Sequence, residues 1–544
     1  MCGILACLSE TEQTDFRYRL NKIKHRGPDE TTVLTTGKYS VGFVRNAINN
    51  PLQGRQPIED GDWVHVHNGE FYNDGIENDV DVDEKFLSAG EWGKKPSDSH
   101  LLRDVNDPKE LDGVFAYCSY NRKTETLHVA RDFVGVVSLY YVESNGVWFA
   151  SEAKALAGLG EIVMFPPNTV MTVRYKDGRL EKTERKIYEP FPEPTLQYDQ
   201  GRLCNLLERS VRKRITGCSV PWGIALSGGL DSTYFVTLLR RIGERRLPFG
   251  YQDIHTFTIG LKGSPDLLKA REVAKEFFTV HHEIEIGIDE AMAAVSSAIH
   301  TLETYDVTTV RAGTMNYLLA KYMKFHGIKM ALSGEGSDEI FGGYLYNHYC
   351  PGPDEMHREC VKKIDQLHYY DCLRCHKAFA AFGIEVRVPF LDKALVDYVM
   401  AIDPTNKLSS THPDGPRAEK HILRQCHIAQ SADKIQGEQF SYRQKDQFSD
   451  AVGEDWINTL VSSAEEKVSD EELAAAHKKY PFQTPLTKEA YYYRTIFHML
   501  FNSSGERFVL YDNNTVACST STGAEWCDVK RDPSGNFVKT SLKL

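Results

Sequence analysis

The chain has 544 residues, too many for one hydrophobic core, so two or more domains are expected. Hydrophobic residues make up 41% and charged residues 26%, a balance that excludes a fibrous or disordered chain. With 64 basic and 76 acidic side chains the net charge is −12, so there is no basic footprint for nucleic acid, and no apolar run is long enough for a membrane.

The chain opens Met1-Cys2-Gly3. With Met1 removed, Cys2 carries a thiol beside a free α-amine, which can take the thiol proton directly or through water. Gly3 leaves the space beside it open. His25-Arg26-Gly27-Pro28-Asp29 is a turn signature. Arg45 offers a planar fork for a carboxylate. Trp63-Val64-His65-Val66-His67 alternates like a strand and runs into Asn68-Gly69-Glu70. That Asn-Gly reads either as a hairpin turn or as an amide and a backbone N–H for a developing oxyanion. Asp98 suits an ammonium group, and the acidic run from Glu77 to Glu84 reads as a solvated loop.

Short apolar runs punctuated by Gly, Asn and Asp, from Tyr39-Ser40-Val41 to Val173-Arg174-Tyr175, predict stacked antiparallel sheets over residues 1–187. The Pro-rich stretch within 188–200 predicts a stiff linker. Over 201–502 helical patterns alternate with buried-strand candidates, which predicts a parallel sheet with helices on both faces. Residues 503–544 are polar and Gly/Ser-rich at their start, and are expected to form a poorly ordered tail.

One buried-strand candidate, Val220 to Leu226, feeds Ser227-Gly228-Gly229-Leu230-Asp231-Ser232 and then a helix from Thr233. Strand, Gly-rich turn and helix place backbone N–H groups against phosphate. The loop has no Gly-Lys-Ser/Thr, so transfer of a γ-phosphoryl group is not its chemistry. A second candidate, Ile328 to Leu332, ends in Ser333-Gly334-Glu335-Gly336-Ser337-Asp338. Asp231 and Asp338 suit one Mg²⁺ shared with a triphosphate, or serve as helix caps, or both.

The twelve cysteines are irregularly spaced, as for free thiols in a reducing compartment. Cys360, His368, Cys372, Cys375 and His376 invite a zinc reading, but Tyr369 to Ala381 has a helical pattern and no second CxxC follows, so a helix is the expectation. No charged-then-apolar leader precedes Cys2, and a cytoplasmic location is expected.

Met-Cys-Gly-Ile, His-Arg-Gly-Pro-Asp, Asn-Gly-Glu-Phe-Tyr-Asn and Ala130-Arg131-Asp132 resemble the glutaminase domain of class II glutamine amidotransferases. Ser-Gly-Gly-x-Asp-Ser resembles the pyrophosphate loop of ATP pyrophosphatases, and Ser333 to Tyr344, Val386 to Asp392 and Arg443 to Asp450 resemble the synthetase domain of asparagine synthetases. The resemblance implies a fold in two parts. The first is an N-terminal nucleophile hydrolase type of stacked antiparallel β-sheets with helices, and the second is a doubly wound parallel sheet of ATP pyrophosphatase type. It implies glutamine, aspartate and ATP as small-molecule partners with Mg²⁺, and leaves a homodimer open.

By the same resemblance Cys2 attacks the glutamine amide and Asn68 with the Gly69 N–H forms the oxyanion hole. Arg45, Asn46, Ala47, Ile48, Asn49, Glu70 and Asp98 line the glutamine pocket. Leu226, the 227–232 loop, Ile259, Ser333 and Gly334 frame ATP. Glu335 serves the amination step, Lys445 stabilises negative charge, and Thr308 and Arg311 hold aspartate. The chain departs from the family at Asn46-Ala47, where Leu-Ser is usual, at His100 in place of an acid, at Ser138 in place of proline, and at Gly313 and Met315, where Ser and Pro are usual. Two rivals are a synthetase that adenylates another carboxylate, such as the β-lactam-forming enzymes, which lack the N-terminal cysteine, and a non-catalytic sensor, which would show degenerate loops.

Overall fold

The structure is a computed structural model and describes residues 1–11, 13–49, 54–73, 98, 101, 107–176, 178–189, 191, 193–216, 218–246, 254–409, 412–415, 417–442, 454–501, 507–510, 522 and 525–526. The acidic run from Glu77 to Glu84, His100 and Lys445 lie outside them.

Twelve strands fill the first part: β1 (Gly3–Leu8), β2 (Glu30–Thr36), β3 (Tyr39–Arg45), β4 (Ile58–Asp60), β5 (Trp63–Phe71), β6 (Gly113–Asn121), β7 (Thr126–Arg131), β8 (Tyr140–Glu143), β9 (Val147–Ala150), β10 (Val163–Met164), β11 (Thr169–Lys176) and β12 (Arg179–Lys186). They form two six-stranded antiparallel sheets, in the orders β10-β8-β9-β1-β3-β2 and β12-β11-β7-β6-β5-β4. Period-two alternation explains the stacking. Ile4, Ala6 and Leu8 of β1 pack in one cluster with Val64, Val66, Ala116 and Cys118 of the other sheet. Leu5 and Cys7, on the opposite face, pack with Trp148 and with Phe16 and Leu20 of helix α1 (Phe16–Asn21). The outer strand β12 carries Arg179, Glu181, Lys182, Glu184, Arg185 and Lys186, charges that blunt an exposed edge.

The linker is pinned at both ends. Tyr188 donates its hydroxyl to the Leu111 carbonyl at 2.9 Å, and the Leu196 N–H donates to the Ala401 carbonyl at 2.8 Å. Asp199 caps α2 (Gln200–Ile215), its side chain accepting from the Arg202 N–H at 3.0 Å.

The second part is a five-stranded parallel sheet of β13 (Trp222–Ala225), β14 (His255–Leu261), β15 (Val280–Ile286), β16 (Met330–Leu332) and β17 (Glu385–Arg387), in the order β15-β14-β13-β16-β17. Its helices include α3 (Leu230–Arg246), α4 (Pro265–Glu276), α5 (Ile288–Leu302), α6 (Val307–Phe325), α7 (Ser337–Phe341), α8 (Asp371–Ala380), α9 (His421–Gln430) and α10 (Lys488–Phe501). The chain moves outward from β13 on one side and from β16 on the other, so the order reverses between these neighbours. That switch point is where such sheets bind ligands, outside the strands' carboxyl ends, and both Gly-rich loops emerge there.

The Cys372–His376 stretch is helical, within α8. Most of the expected tail lies outside the described residues. Of those described, Phe508 is buried, with its ring against Tyr140 at 5.3 Å and against Phe497 and Phe501. The start of the tail is thus docked there by an apolar anchor. Among the described residues the cysteines are free thiols, and no helix is long and apolar enough to cross a membrane.

Candidate functional site

Cys2 stands half-buried at the head of β1. Its backbone N–H donates to Oδ1 of Asn68 at 2.9 Å, and its carbonyl accepts from Nε of Arg26 at 2.9 Å. The thiol rests on Asn46, whose N–H lies 3.4 Å from Sγ. Burial raises the thiol's pKa, against the pull of the Met1 ammonium and the Asn46 N–H. Met1 precedes it, buried, with its ammonium 3.4 Å from Glu385.

Asn68 is fully buried on β5, and its Nδ2 has no hydrogen-bond partner among the described residues. Orphaned buried donors cost about 1–3 kcal/mol, so this N–H is held ready for an acceptor. Gly69 follows with φ +120°, and a Cβ there would lie 2.0 Å from the Val114 carbonyl oxygen. Only glycine lets β5 lie this close to β6.

Arg45 ends β3, with Nη1 3.7 Å from Glu30. Asp98 accepts from the Phe71 N–H at 3.1 Å and lies 3.2 Å from Nε2 of His67. The Ala47 N–H donates to Asp29 at 2.8 Å. The neighbours expected around glutamine turn largely to the parallel-sheet part. Asn46 donates to the Gly383 carbonyl at 2.9 Å, and the Ile48 carbonyl accepts from Ser219 at 2.9 Å. Arg387 donates to Asn49 at 3.2 Å and lies 3.1 Å from Glu70, which also accepts from Asn49. Burial, with Asp98 adding, pushes the Glu70 carboxyl well up. Glu70 shares the face of Asn68 on an alternating strand, but its carboxylate is already engaged by Arg387.

At the switch point of the parallel sheet lies a cavity of about 220 Å³. Its walls include Leu226, Ser227, Gly229, Leu230, Asp231, Ser232, Ile259, Ser333, Gly334, Glu335 and Asp338. Gly228 shapes the turn from behind: its φ is +74°, and a Cβ would meet the backbone of Lys269 on α4 at 2.5 Å. The Gly229 N–H donates to Ser227 Oγ at 3.3 Å, tightening the loop before α3.

Asp231 and Asp338 come from the two loops to one point, and Lys420 holds it. Its Nζ donates to Asp231 Oδ2 at 2.7 Å and lies 2.7 Å from Asp338 Oδ1. Lys420 is buried, in the left-handed region with φ +54° just before α9. Burial pulls its pKa down, but Asp231 and Asp338 outweigh that and raise it. The ammonium occupies the point where the two carboxylates converge, and a few carboxylates together with substrate phosphates are the donor set that Mg²⁺ takes. Lys420 belongs to no motif readable from the sequence, whereas Arg374, which also lines the cavity, lies in Asp371-Cys372-Leu373-Arg374, a stretch that reads only as helix. Arg374 lies 3.5 Å from Glu335 and 2.5 Å from Asp371. Burial, against the pull of Arg374, pushes the Glu335 carboxyl up to about 8.

Thr308 and Arg311 sit on α6 and are absent from the cavity wall. Arg311 forks onto Glu489 of α10, Nε at 2.9 Å and Nη2 at 2.6 Å, and both side chains are buried. Its fork is thus occupied by the protein's own carboxylate.

Where the two parts meet lies a seam lined by Met1, Gly69, Glu70, Tyr72, Val114, Val136, Val137, His376, Glu385, Val386 and Arg387, with no room for a water molecule.

The Glutamine amidotransferase domain family model matches residues 1–192, and the Asparagine synthase family model matches residues 202–351 and 348–521. A glutamine-hydrolyzing asparagine synthetase 2 of Lotus japonicus is 39% identical, covering 98% of this chain and 93% of the relative. The asparagine synthetase 2 of Arabidopsis thaliana is 39% identical over 98% of this chain and 94% of the relative, and the asparagine synthetase 3 of the same plant is 40% identical with the same coverage. A cysteine-headed antiparallel part, a parallel-sheet part with two Gly-rich loops and near-end-to-end similarity agree, and the chain belongs to the family of glutamine-hydrolysing asparagine synthetases.

Proposed function

We propose that the protein is a glutamine-dependent asparagine synthetase of the cytoplasm. Once Met1 is removed, the α-amine of Cys2 takes the thiol proton, and the thiolate attacks the side-chain amide of glutamine. Asn68 Nδ2 and the Gly69 N–H receive the oxyanion. Ammonia leaves, and water hydrolyses the γ-glutamyl thioester to glutamate. Arg45 grips the glutamine α-carboxylate, and Asp98, with Glu70 where Arg387 shares it, receives the α-amine. Asn46, Ala47, Ile48 and Asn49 wall the pocket through their backbone.

In the second cavity the 227–232 loop and the α3 N-terminus cradle the pyrophosphate of ATP. Leu226, Ile259, Ser333 and Gly334 frame the nucleoside. Asp231 and Asp338 would hold Mg²⁺, which when bound neutralises charge on the phosphates. The aspartate β-carboxylate attacks the α-phosphorus, giving β-aspartyl-AMP and pyrophosphate. Arg374, paired with Asp371 and Glu335, is one of the cations on the cavity wall, and it exchanges onto a carboxylate of aspartate. Glu335 accepts a proton from the attacking ammonia, asparagine forms, and AMP leaves, with Lys445 stabilising the charge on the nucleotide. Ammonia stays reactive only while unprotonated, so it crosses between the two parts without passing through bulk water.

The observation that carries this reading is the buried, unpaired Nδ2 of Asn68, on the amide that anchors the Cys2 backbone. The test is product analysis with amide-labelled glutamine, aspartate and Mg-ATP. Labelled asparagine with AMP is expected, whereas ADP or no nitrogen transfer overturns the reading. Cys2→Ala is expected to lose glutamine use and keep ammonia use.

A further inference from the structure

Two helices bring a pair of thiols together away from both sites. Helices α2 and α9 pack side by side and run in the same sense. The Gln200 side chain of α2 donates to the Gln425 carbonyl of α9 at 3.1 Å, and Sγ of Cys426 lies 3.7 Å from the Gln200 carbonyl. One turn further along both helices, Gln430 donates to the Cys204 carbonyl at 3.3 Å. A helical side chain leans toward its own N-terminus, over the preceding turn. The Cys204 thiol therefore lies over the turn that starts at Gln200, beside the Cys426 thiol.

This pair differs chemically from the remaining cysteines. Cys426 is fully buried, whereas Cys204 keeps 8% of its surface in solvent. Among the described residues every other thiol is pushed up, by burial or, at Cys426, by Cys204. Cys204 is drawn down, chiefly by the Cys426 thiol beside it and with help from Arg241, against the cost of burial. A thiol that ionises readily and reaches solvent, with a second thiol against it, is the arrangement of an attacking and a resolving cysteine. In a reducing compartment a disulfide is transient and redox-sensing.

We propose that Cys204 and Cys426 form a reversible disulfide under a hydroperoxide, a redox site that clamps α9 to α2 and draws Lys420 from Asp231 and Asp338. The Cys204 thiolate attacks a peroxide oxygen, the O–O bond breaks, and the sulfur becomes a sulfenic acid as one water leaves. Cys426 gives up its proton and attacks that sulfur, the S–O bond breaks, and the hydroxide takes the proton as a second water. The two sulfurs lose two electrons and the peroxide gains them. A thiol reductant reverses the bond. An S–S bond is about 2 Å long, shorter than any contact between two thiols, so closing it pulls the helices together. Helix α9 is also tied to α3, where His427 lies 2.9 Å from Thr237 and Gln430 accepts from Tyr234. Lys420 stands just before α9, less than two turns from Cys426, and moves with it. The bond itself needs nothing from the synthetase reading; its effect on turnover rests on that reading.

The test exposes the reduced full chain to hydrogen peroxide. One portion is digested without reductant, and the other is followed by ammonia-dependent asparagine formation, which does not need Cys2. A Cys204–Cys426 linked peptide is expected by mass spectrometry, lighter than its two halves by two hydrogen atoms. Ammonia-dependent turnover is expected to fall about tenfold or more and to return with dithiothreitol, since a small misplacement of a positioned group costs that much. In Cys204→Ser and in Cys426→Ala neither the linked peptide nor the loss is expected, and either variant serves where the other does not fold. Three results overturn the proposal: no linked peptide in the unsubstituted protein, a linked peptide at unchanged turnover, or the same loss in Cys204→Ser. Failure of the synthetase reading looks different: the reduced protein would form no asparagine from ammonia, aspartate and Mg-ATP, while the linked peptide would form all the same.

Discussion

The backbone N–H of Cys2 donates to Oδ1 of Asn68 at 2.9 Å, so one amide both anchors the nucleophile's backbone and offers its other end to the substrate. Asn68→Ala removes both. Glutamine-dependent turnover is expected to fall about 10²–10³-fold, the usual loss for one oxyanion-hole donor. Ammonia-dependent synthesis, measured on the same preparation, is expected to hold. Equal losses in both would remove Asn68 from the oxyanion hole.

Lys420 gives a metal-linked prediction. In Lys420→Met the carboxylates of Asp231 and Asp338 face each other without the ammonium. The melting temperature in chelator is expected to fall, and added Mg²⁺ to recover part of the loss, since a cation that binds the folded state stabilises it. Pyrophosphate release is expected to slow by about tenfold or more, for loss of a charge facing the phosphates. A variant that melts higher than the parent in chelator would contradict the arrangement.

Glu335 sets a pH dependence. Its carboxyl ionises at about 8 in the fold, against an ordinary 4.5. The folded state therefore binds more protons than the unfolded chain between these values. The stability this group contributes is full below the ordinary value and is lost as pH rises through about 8. Glu335→Gln stays neutral throughout. Its melting temperature relative to the parent is expected to climb from about pH 5 to about pH 8.5, by a few degrees. A constant difference across that range would show that Glu335 is not strained by its surroundings.

The Arg311–Glu489 pair tests whether Arg311 serves aspartate or the fold. Glu489→Gln leaves a buried guanidinium short of its counter-charge, at a cost of about 3–5 kcal/mol in comparable pairs. A marked drop in melting temperature is expected, with KM for aspartate within about twofold of the parent. A large rise in that KM without a change in melting would return Arg311 to the substrate.

Much of this was legible in the sequence because the chemistry is local. Ser227 to Ser232 and Ser333 to Asp338 each follow a short apolar run, so strand and loop are read together, and β13 and β16 appear beneath them. The loops fall beside each other because the strand order reverses there. What escaped depends on distant pairings. Lys420 lies 189 residues from Asp231, in a left-handed turn without a motif. Glu70 meets Arg387 across the two parts, and Arg311 meets Glu489 across 178 residues. Phe508 reads as tail because Asn502 to Arg507 before it are polar, while its neighbours in space are Tyr140, Phe497 and Phe501.

The charged rim that β12 presents bears on self-association. A second copy meeting that flank would have to bury Arg179, Lys182, Glu184 and Lys186 to extend the ladder, and ions stripped of water without matched counter-ions oppose that union. Any dimer formed through this side would rest on side-chain pairs that weaken as salt is added.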